Sequence, residues 1–242
     1  MTHNRIRYAA GSDVGRSRPK NEDSVHAGER LLAIADGMGG HGHGEVASAA
    51  AMSALVALEE GPRPADPVAA LDEAVRDAAR RLGDMAARDP ALERMGTTVT
   101  AMLWDGEGRF AVAHIGDSRA YMLRDGALYQ ITRDHTLVQS LVDDGRMTPD
   151  QAARHQNRSL LLRALETSGL ADPDLSLREA LPGDRYMLCS DGLTAVLEPV
   201  TLHHVLSTVP EPEDAVRRLI DLANEGGGPD NISCVVADVE AA

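Results

Sequence analysis

The sequence predicts an α+β fold, with helices packed on the outer faces of antiparallel sheets. Three observations lead there. Strand-like segments come in consecutive groups and do not alternate one for one with helices. Two long helical stretches sit early in the chain and one sits late. Short turns bearing Gly, Asp or Ser join successive strands, as antiparallel neighbours require.

Three strands open the chain: "RIRYAAGSD", "SVHAGE" and "LLAIAD" alternate or run apolar over strand lengths, separated by charged or Gly-bearing turns. A helix follows in "GEVASAAAMSALVALEE", which is rich in helix formers and stops at Gly61-Pro62. From Asp66 to Asp89, Val68, Leu71, Val75, Ala78, Leu82 and Met85 recur at spacings of three and four, which puts one apolar stripe on a second helix, with Pro67 in its first turn. "GTTVTAMLW", "RFAVAHIG", "RAYMLRDG" and "ALYQIT" then read as one antiparallel meander that turns at "DGEG", "GDS" and "DG". Between Asp134 and about Leu165 the pattern becomes helical and polar, with Thr148-Pro149-Asp150-Gln151 as a capping box, so this segment reads as a surface insertion. The last third supplies a strand at "RYMLCSD", a helix around Pro212 to Asn224, a "GGG" linker and a closing strand at "ISCVVADV". The pattern contains no repeat, low-complexity tract or interdomain linker, and the expectation is a single domain over residues 1–242.

Composition excludes several functions. Apolar residues make up 43% of the 242, enough for a buried core, but aromatics only 2%, so there is no platform for stacking bases. The formal charge of −14 opposes both nucleic acid and anionic membrane surfaces, and neither is an expected partner. The N-terminus has no apolar targeting core and no uncharged apolar run reaches membrane-spanning length, which points to a cytoplasmic protein. Cys189 and Cys234 lie in apolar strand-like runs and read as buried free thiols.

The stretch "LLAIADGMGGHGHG" contains G-x-G-x-x-G at Gly37, Gly39 and Gly42. A dinucleotide site also needs a second parallel strand ending in an acidic residue about 20 positions on, whereas here two helices follow. Asp36, directly before the first glycine, would repel a pyrophosphate. An Asp there suits a cation.

Three further aspartates close a strand or open a turn in the same way: Asp117 in "HIGDSR", Asp191 in "LCSDG" and Asp230 in "GGPDNIS". Glu22 and Asp23 form an adjacent pair just before a strand. Any one of them alone is better read as a turn or cap residue. Gathered at one sheet edge, they would form an all-oxygen set selecting Mg²⁺ or Mn²⁺. Two such ions sharing a carboxylate can acidify a water held between them and so make a nucleophile. Gly37, lacking a Cβ, can turn its carbonyl toward a metal.

In order, "RSRPKNEDS", "LLAIADGMGGHGHGEVAS", "GTTVTAML", "AHIGDSRAYMLRDGALYQITRDHTLV", "LLLRALE", "LCSDGL" and "GGPDNISCVVADV" resemble the successive motifs of the metal-dependent (type 2C, PPM) protein Ser/Thr phosphatases in their bacterial form. The likeness covers almost the whole chain. It implies an α-β-β-α sandwich of two antiparallel sheets flanked by helices, with a helical flap insertion at about 134–165 and a two-metal centre at one edge. It also implies hydrolysis by a metal-activated water without a phosphoenzyme. Asp36 matches the bridging ligand, and Gly37 gives its carbonyl to one ion. Asp191 and Asp230 match ligands of the other. Glu22 matches the acid on the Gly37 side and Asp23 a supporting carboxylate, while Asp117 with Asp191 matches a third, weaker metal. Arg18, four residues before Glu22, matches the phosphate-binding arginine, with Arg16 as competitor. Met38 stands where animal members carry a proposed acid; His41 fits the bacterial position for protonating the leaving group, with His43 as alternative. Thr97 and Thr98 read as structural, Asn231 as orienting Asp230 or serving a turn, and Ala195 as a departure from an acidic position that removes no ligand.

The expectation is therefore a monomeric enzyme that removes phosphate from Ser or Thr side chains of cytoplasmic proteins, using Mg²⁺ or Mn²⁺ and working against a Ser/Thr kinase. The rivals are a catalytically idle phosphoprotein-binding or sensing relative, and a phosphatase of a small metabolite.

Overall fold

A computed structural model describes residues 4–39 and 43–241. Its strands are β1 (Arg5–Asp13), β2 (Asp23–Ala27), β3 (Leu31–Met38), β4 (Gly96–Thr97), β5 (Val99–Trp104), β6 (Arg109–Ile115), β7 (Arg119–Arg124), β8 (Ala127–Gln130), β9 (Leu165–Glu166), β10 (Asp174–Glu179), β11 (Arg185–Cys189) and β12 (Ile232–Glu240). The helices are α1 (Gly44–Glu60), α2 (Pro67–Arg88), α3 (Leu137–Asp143), α4 (Pro149–Ala153), α5 (Asp191–Thr194), α6 (Pro199–Thr208) and α7 (Pro212–Glu225).

The strands form two antiparallel sheets. One has the order β1-β12-β11-β7-β8; the other runs β10-β6-β5-β3-β4-β9, with β2 added against β3. Alternation along each strand sends side chains to two faces, and in the central strands both faces are covered. On β3, Leu31, Ala33 and Ala35 meet α1 and α2, while Leu32 and Ile34 point to the other sheet. On β12, Cys234 and Val236 meet the helix layer that includes α6 and α7, while Val235, Ala237 and Val239 face the intersheet core. The result is four layers, α-β-β-α. This is why the segments run continuously apolar rather than alternating with polar residues. The single Trp and single Phe sit together in the middle layer, with Trp104 4.8 Å from Phe110 and Phe110 5.0 Å from Tyr186 between ring centroids. Cys189 and Cys234 are buried free thiols on adjacent strands.

Local signals act as read. Asp66 caps α2 by accepting from the Val68 and Ala69 amides, and both halves of the Thr148–Gln151 capping box are formed. One reading needs correction. The four strands after Gly96 are not a single meander: β5 and β6 belong to one sheet, β7 and β8 to the other. Gly116-Asp117-Ser118 is a crossing between sheets, with Gly116 at φ +113°, where a side chain would be strained and its Cβ would meet Thr98 at 2.5 Å. The strand read at "GTTVTAMLW" is also broken at Thr98, and α6 and β10 were not anticipated. Among the described residues no helix is long and apolar enough to cross a membrane.

Candidate active site

The crossing and four strand ends bring the acidic residues to one edge of the sandwich. Asp36, near the end of β3, stands opposite Asp23 on β2. Its backbone is clamped: the Thr98 amide donates to the Asp36 carbonyl at 2.9 Å, the Asp36 amide donates to Thr98 Oγ1 at 3.0 Å, and Thr97 Oγ1 donates to the same carbonyl at 2.9 Å. Thr98 Oγ1 also lies 2.7 Å from Ser118 Oγ, so the crossing that carries Asp117 is tied to the strand that carries Asp36. Gly37 admits no side chain, since a Cβ would come within 2.2 Å of the Gly44 carbonyl oxygen and 2.4 Å of that of Glu22.

Asp191 and Asp230 come from the facing ends of β11 and β12. Ser190 and Ser233 converge there on Asp23, their hydroxyls donating to Oδ2 at 2.8 and 2.6 Å. Asn231, 6% exposed, accepts from the Glu22 amide at 2.8 Å and donates to the carbonyls of Val14 and Lys20 at 3.0 and 2.9 Å. It thus fixes the 14–22 loop rather than only its neighbour Asp230. That loop presents Arg18, whose Nη2 donates to Asp230 Oδ2 at 2.7 Å. Arg16, the competing candidate, anchors the loop through its backbone amide to Gly228.

Charge crowding is evident in the carboxyls. Burial pushes Asp36 well above the usual carboxylate range, and Asp23, Asp191, Asp117 and Asp230 push it further. Burial raises Asp23 to about 6 against the donated hydroxyls of Ser233 and Ser190. Burial, then Asp191 and Asp134, raise Asp117 to about 8, with Arg119 opposing. Asp191 is raised by burial and Asp230, although it gains a hydrogen bond with Asp36. The hydrogen bond to Asp230 raises Arg18, with Asp191 and Asp36 adding to it.

Do these residues suit a cation? Among the described residues no three His, Cys, Asp or Glu side chains already form a metal-holding shell, as expected where buried anions repel one another. Three features nonetheless fit hard divalent ions. Glu22 Oε1 and Asp23 Oδ1 are buried without a hydrogen-bond partner. The backbone at Gly37 is packed too closely for any Cβ. The clustered donors are all oxygens, which favours Mg²⁺ or Mn²⁺ over zinc. An open arrangement of the five aspartates is compatible with cation binding, because a bound cation would compensate the charge that keeps the carboxylates apart.

Asp23, Asp36, Asp117, Asp191, Asp230 and Arg18 therefore meet, with Glu22 and Gly37 adjoining through the Gly37 amide, which donates to the Glu22 carbonyl at 3.2 Å. His41 lies outside the described residues, while His43 precedes α1 without a side-chain cap bond. The sequence reading missed Ser190, Ser233, Ser48 (whose hydroxyl donates to the Glu22 carbonyl at 2.6 Å) and the loop-organising role of Asn231. Only their positions beside Asp191 and Asp230, for three of them, could have pointed to them.

Fold and site together define an α-β-β-α sandwich protein with an acidic, cation-suited centre at one sheet edge. The chain belongs to the protein phosphatase 2C family, whose model matches residues 15–224. It is 53% identical over 234 residues to the serine/threonine protein phosphatase PstP of Mycobacterium tuberculosis, covering 97% of this chain and 45% of that protein, so it spans less than half of that relative's length. A crystal structure of the M. tuberculosis PstP/Ppp superposes with a TM-score of 0.94 at 52% identity, covering 98% of this chain and 99% of that one. The PstP catalytic domain in complex with two manganese ions gives 0.92 at 51% identity, covering 98% and 99%.

Proposed function

We propose that this chain is a single catalytic domain that hydrolyses phosphoserine and phosphothreonine in proteins, with Mg²⁺ or Mn²⁺ as cofactor. The observation that carries the reading is the convergence of four other buried or half-buried aspartates on Asp36, with a guanidinium at their margin. Similarity to PstP, whose catalytic domain binds two manganese ions, supports it.

In this reading Asp36 would contribute to holding both cations, with Gly37 and Glu22 holding one and Asp191 and Asp230 the other. Asp23 supports the set, and Asp117 with Asp191 serves a weaker third. When bound, such ions supply positive charge that makes water a nucleophile near neutral pH and neutralises phosphoryl oxygens. The chain's own groups do the rest. The Thr97–Thr98 clamp holds Asp36 at a fixed depth, so the carboxylate need not reorganise during turnover. Arg18 uses Nη2 on Asp230, which aims its planar fork and leaves further N–H donors for phosphate oxygens, where charge builds during in-line displacement. His41 remains the proposed donor of the leaving-group proton.

Phosphoproteins of the cytoplasm, produced by a Ser/Thr kinase, are the proposed substrates, and a monomer the proposed state. Support comes from the acidic net charge of −14 and the family membership. Asp36→Asn and Asp191→Asn should each abolish Mn²⁺-dependent phosphate release from a phosphothreonine peptide and from a small aryl phosphate, with circular dichroism unchanged. Wild-type turnover in both variants would reject the assignment.

A further inference from the structure

A cleft of about 620 Å³ leads from Asp117 and Asp191 to the flap. Its walls are mixed, with apolar stretches from Val138 and Val142 of α3 and Ala152 of α4 on the flap side and from Leu197 and Leu202 on the other, set among polar and charged side chains. That volume is of the size that takes a few side chains rather than a single ion. Inorganic phosphate would leave most of it unfilled.

The charges on the lining are unbalanced in an informative way. Arg119 and Asp134 pair with each other at 2.7 Å and cancel. Away from the carboxylate cluster, the remaining ionised groups are Arg154, Arg158 and the single acid Glu198. Both arginines are exposed, and among the described residues neither has an ion-pair partner, although the chain holds 38 acidic residues against 24 basic ones. Arg133 and Arg163, at the two ends of the flap, are paired with Asp143 and Asp174. Ala195, exposed on the same lining, adds no charge. Two free guanidiniums beside apolar stretches, continuous with the proposed catalytic centre, complement an anionic polypeptide.

Resting on the phosphatase reading above, we propose that this cleft receives the stretch of substrate flanking the phosphorylated residue and selects stretches carrying a carboxylate over neutral or basic ones. The selection is local to the flap: the molecule as a whole is acidic, so bulk electrostatics alone would favour basic peptides.

The test uses phosphothreonine peptides that differ only by Glu, Gln or Lys, placed in turn two to five residues to either side of the phosphothreonine. A small aryl phosphate, too short to enter the cleft, reports on the catalytic centre alone. At low salt, kcat/KM for the Glu peptide should exceed that for the Lys peptide by about tenfold at one or more positions, the size that two charge-assisted contacts at a surface supply. The ratio should shrink as salt is added. In the double variant Arg154→Glu, Arg158→Glu the order should invert, with the Lys peptide becoming the better substrate. The readout is a ratio between two peptides on one preparation, so any general loss of activity cancels. Equal hydrolysis of Glu and Lys peptides by the wild-type chain, or an unchanged ratio in the double variant, overturns the proposal while leaving the phosphatase reading standing. Failure to turn over both the peptides and the aryl phosphate with Mn²⁺ overturns that reading, and this inference with it.

Discussion

Asn231 illustrates how single residues set this site. Its amide spans three backbone groups of the 14–22 loop, and nothing else in the loop replaces the two donations to Val14 and Lys20. Asn231→Asp keeps the shape but turns both donors into acceptors facing carbonyl oxygens. Each buried carbonyl left without its donor costs about 1–3 kcal/mol, so the variant should lose roughly 2–5 kcal/mol in urea denaturation. Because the loop carries Arg18, KM for phosphopeptide should also rise while the metal requirement stays unchanged; a destabilised variant with wild-type KM would show that Asn231 only supports the fold. The strand-ending aspartates were legible in the sequence because a carboxylate flanked by Gly or Ser after an apolar run has a local signature. Asn231, Ser190 and Ser233 were not, since their roles join positions about 170 to 210 residues apart and exist only once the chain has folded. Arg18 and Arg16 were separable only through the salt bridge to Asp230.

Among elements, the readings that held were those with a local cause: an Asp cap, a capping box, a three–four apolar stripe. The failure at Gly116-Asp117-Ser118 has a physical reason. A turn between hairpin strands and a crossing between stacked sheets draw on the same residues, and only the partner sheet decides which forms. The crossing is held from behind by the flap base, where His135 Nδ1 accepts from the Gly116 amide at 3.1 Å and the ring of His114 lies 4.7 Å away. His114 on β6 is buried, and burial first, then His135, lower it to about 4. Its Nε2 faces the Arg133 carbonyl oxygen at 3.0 Å, so the neutral ring carries its proton there. Above the ordinary histidine value of 6.5 neither state binds the proton and nothing is lost. Between 6.5 and about 4 the unfolded chain takes up a proton that the folded one refuses, so stability falls as pH falls. At 1.36 kcal/mol per pH unit this amounts to about 3 kcal/mol by pH 4. Between pH 7.5 and 4 the urea midpoint of His114→Gln should rise relative to that of wild type, because the raised carboxyls act equally on both chains; parallel profiles would show that His114 makes no contribution.

At the scale of the whole molecule, the sandwich gathers charges that oppose its own folding. The α+β class, with helices outside antiparallel sheets, was readable from the grouping of strand segments, whereas the four-layer α-β-β-α arrangement was implied by the resemblance; the convergence of five aspartates needed the fold to bring four strand ends and one crossing together. The carboxyls of Asp23, Asp36, Asp117 and Asp191 are all raised, so the fold retains protons that the unfolded chain releases. For Asp23, below its ordinary value of 3.8 both states are protonated and nothing is lost; between there and about 6 stability falls as pH rises, and it stays lower above. This one group contributes about 3 kcal/mol. In EDTA the wild-type chain should therefore melt at a lower temperature at pH 8 than at pH 5. Cations that bind only the folded state add about 2.7 kcal/mol at one hundred times their dissociation constant, which at this chain length corresponds to a rise of roughly 5–10 °C. Asp36→Asn removes the group whose ionisation the fold opposes most strongly, so it should melt higher than wild type in EDTA and gain little from Mn²⁺, trading function for stability. Melting curves at both pH values, with EDTA or millimolar Mn²⁺, separate the possibilities: a full Mn²⁺-induced rise in Asp36→Asn would place the cations elsewhere, and a wild-type chain indifferent to Mn²⁺ would leave the carboxylate cluster without its counter-charge.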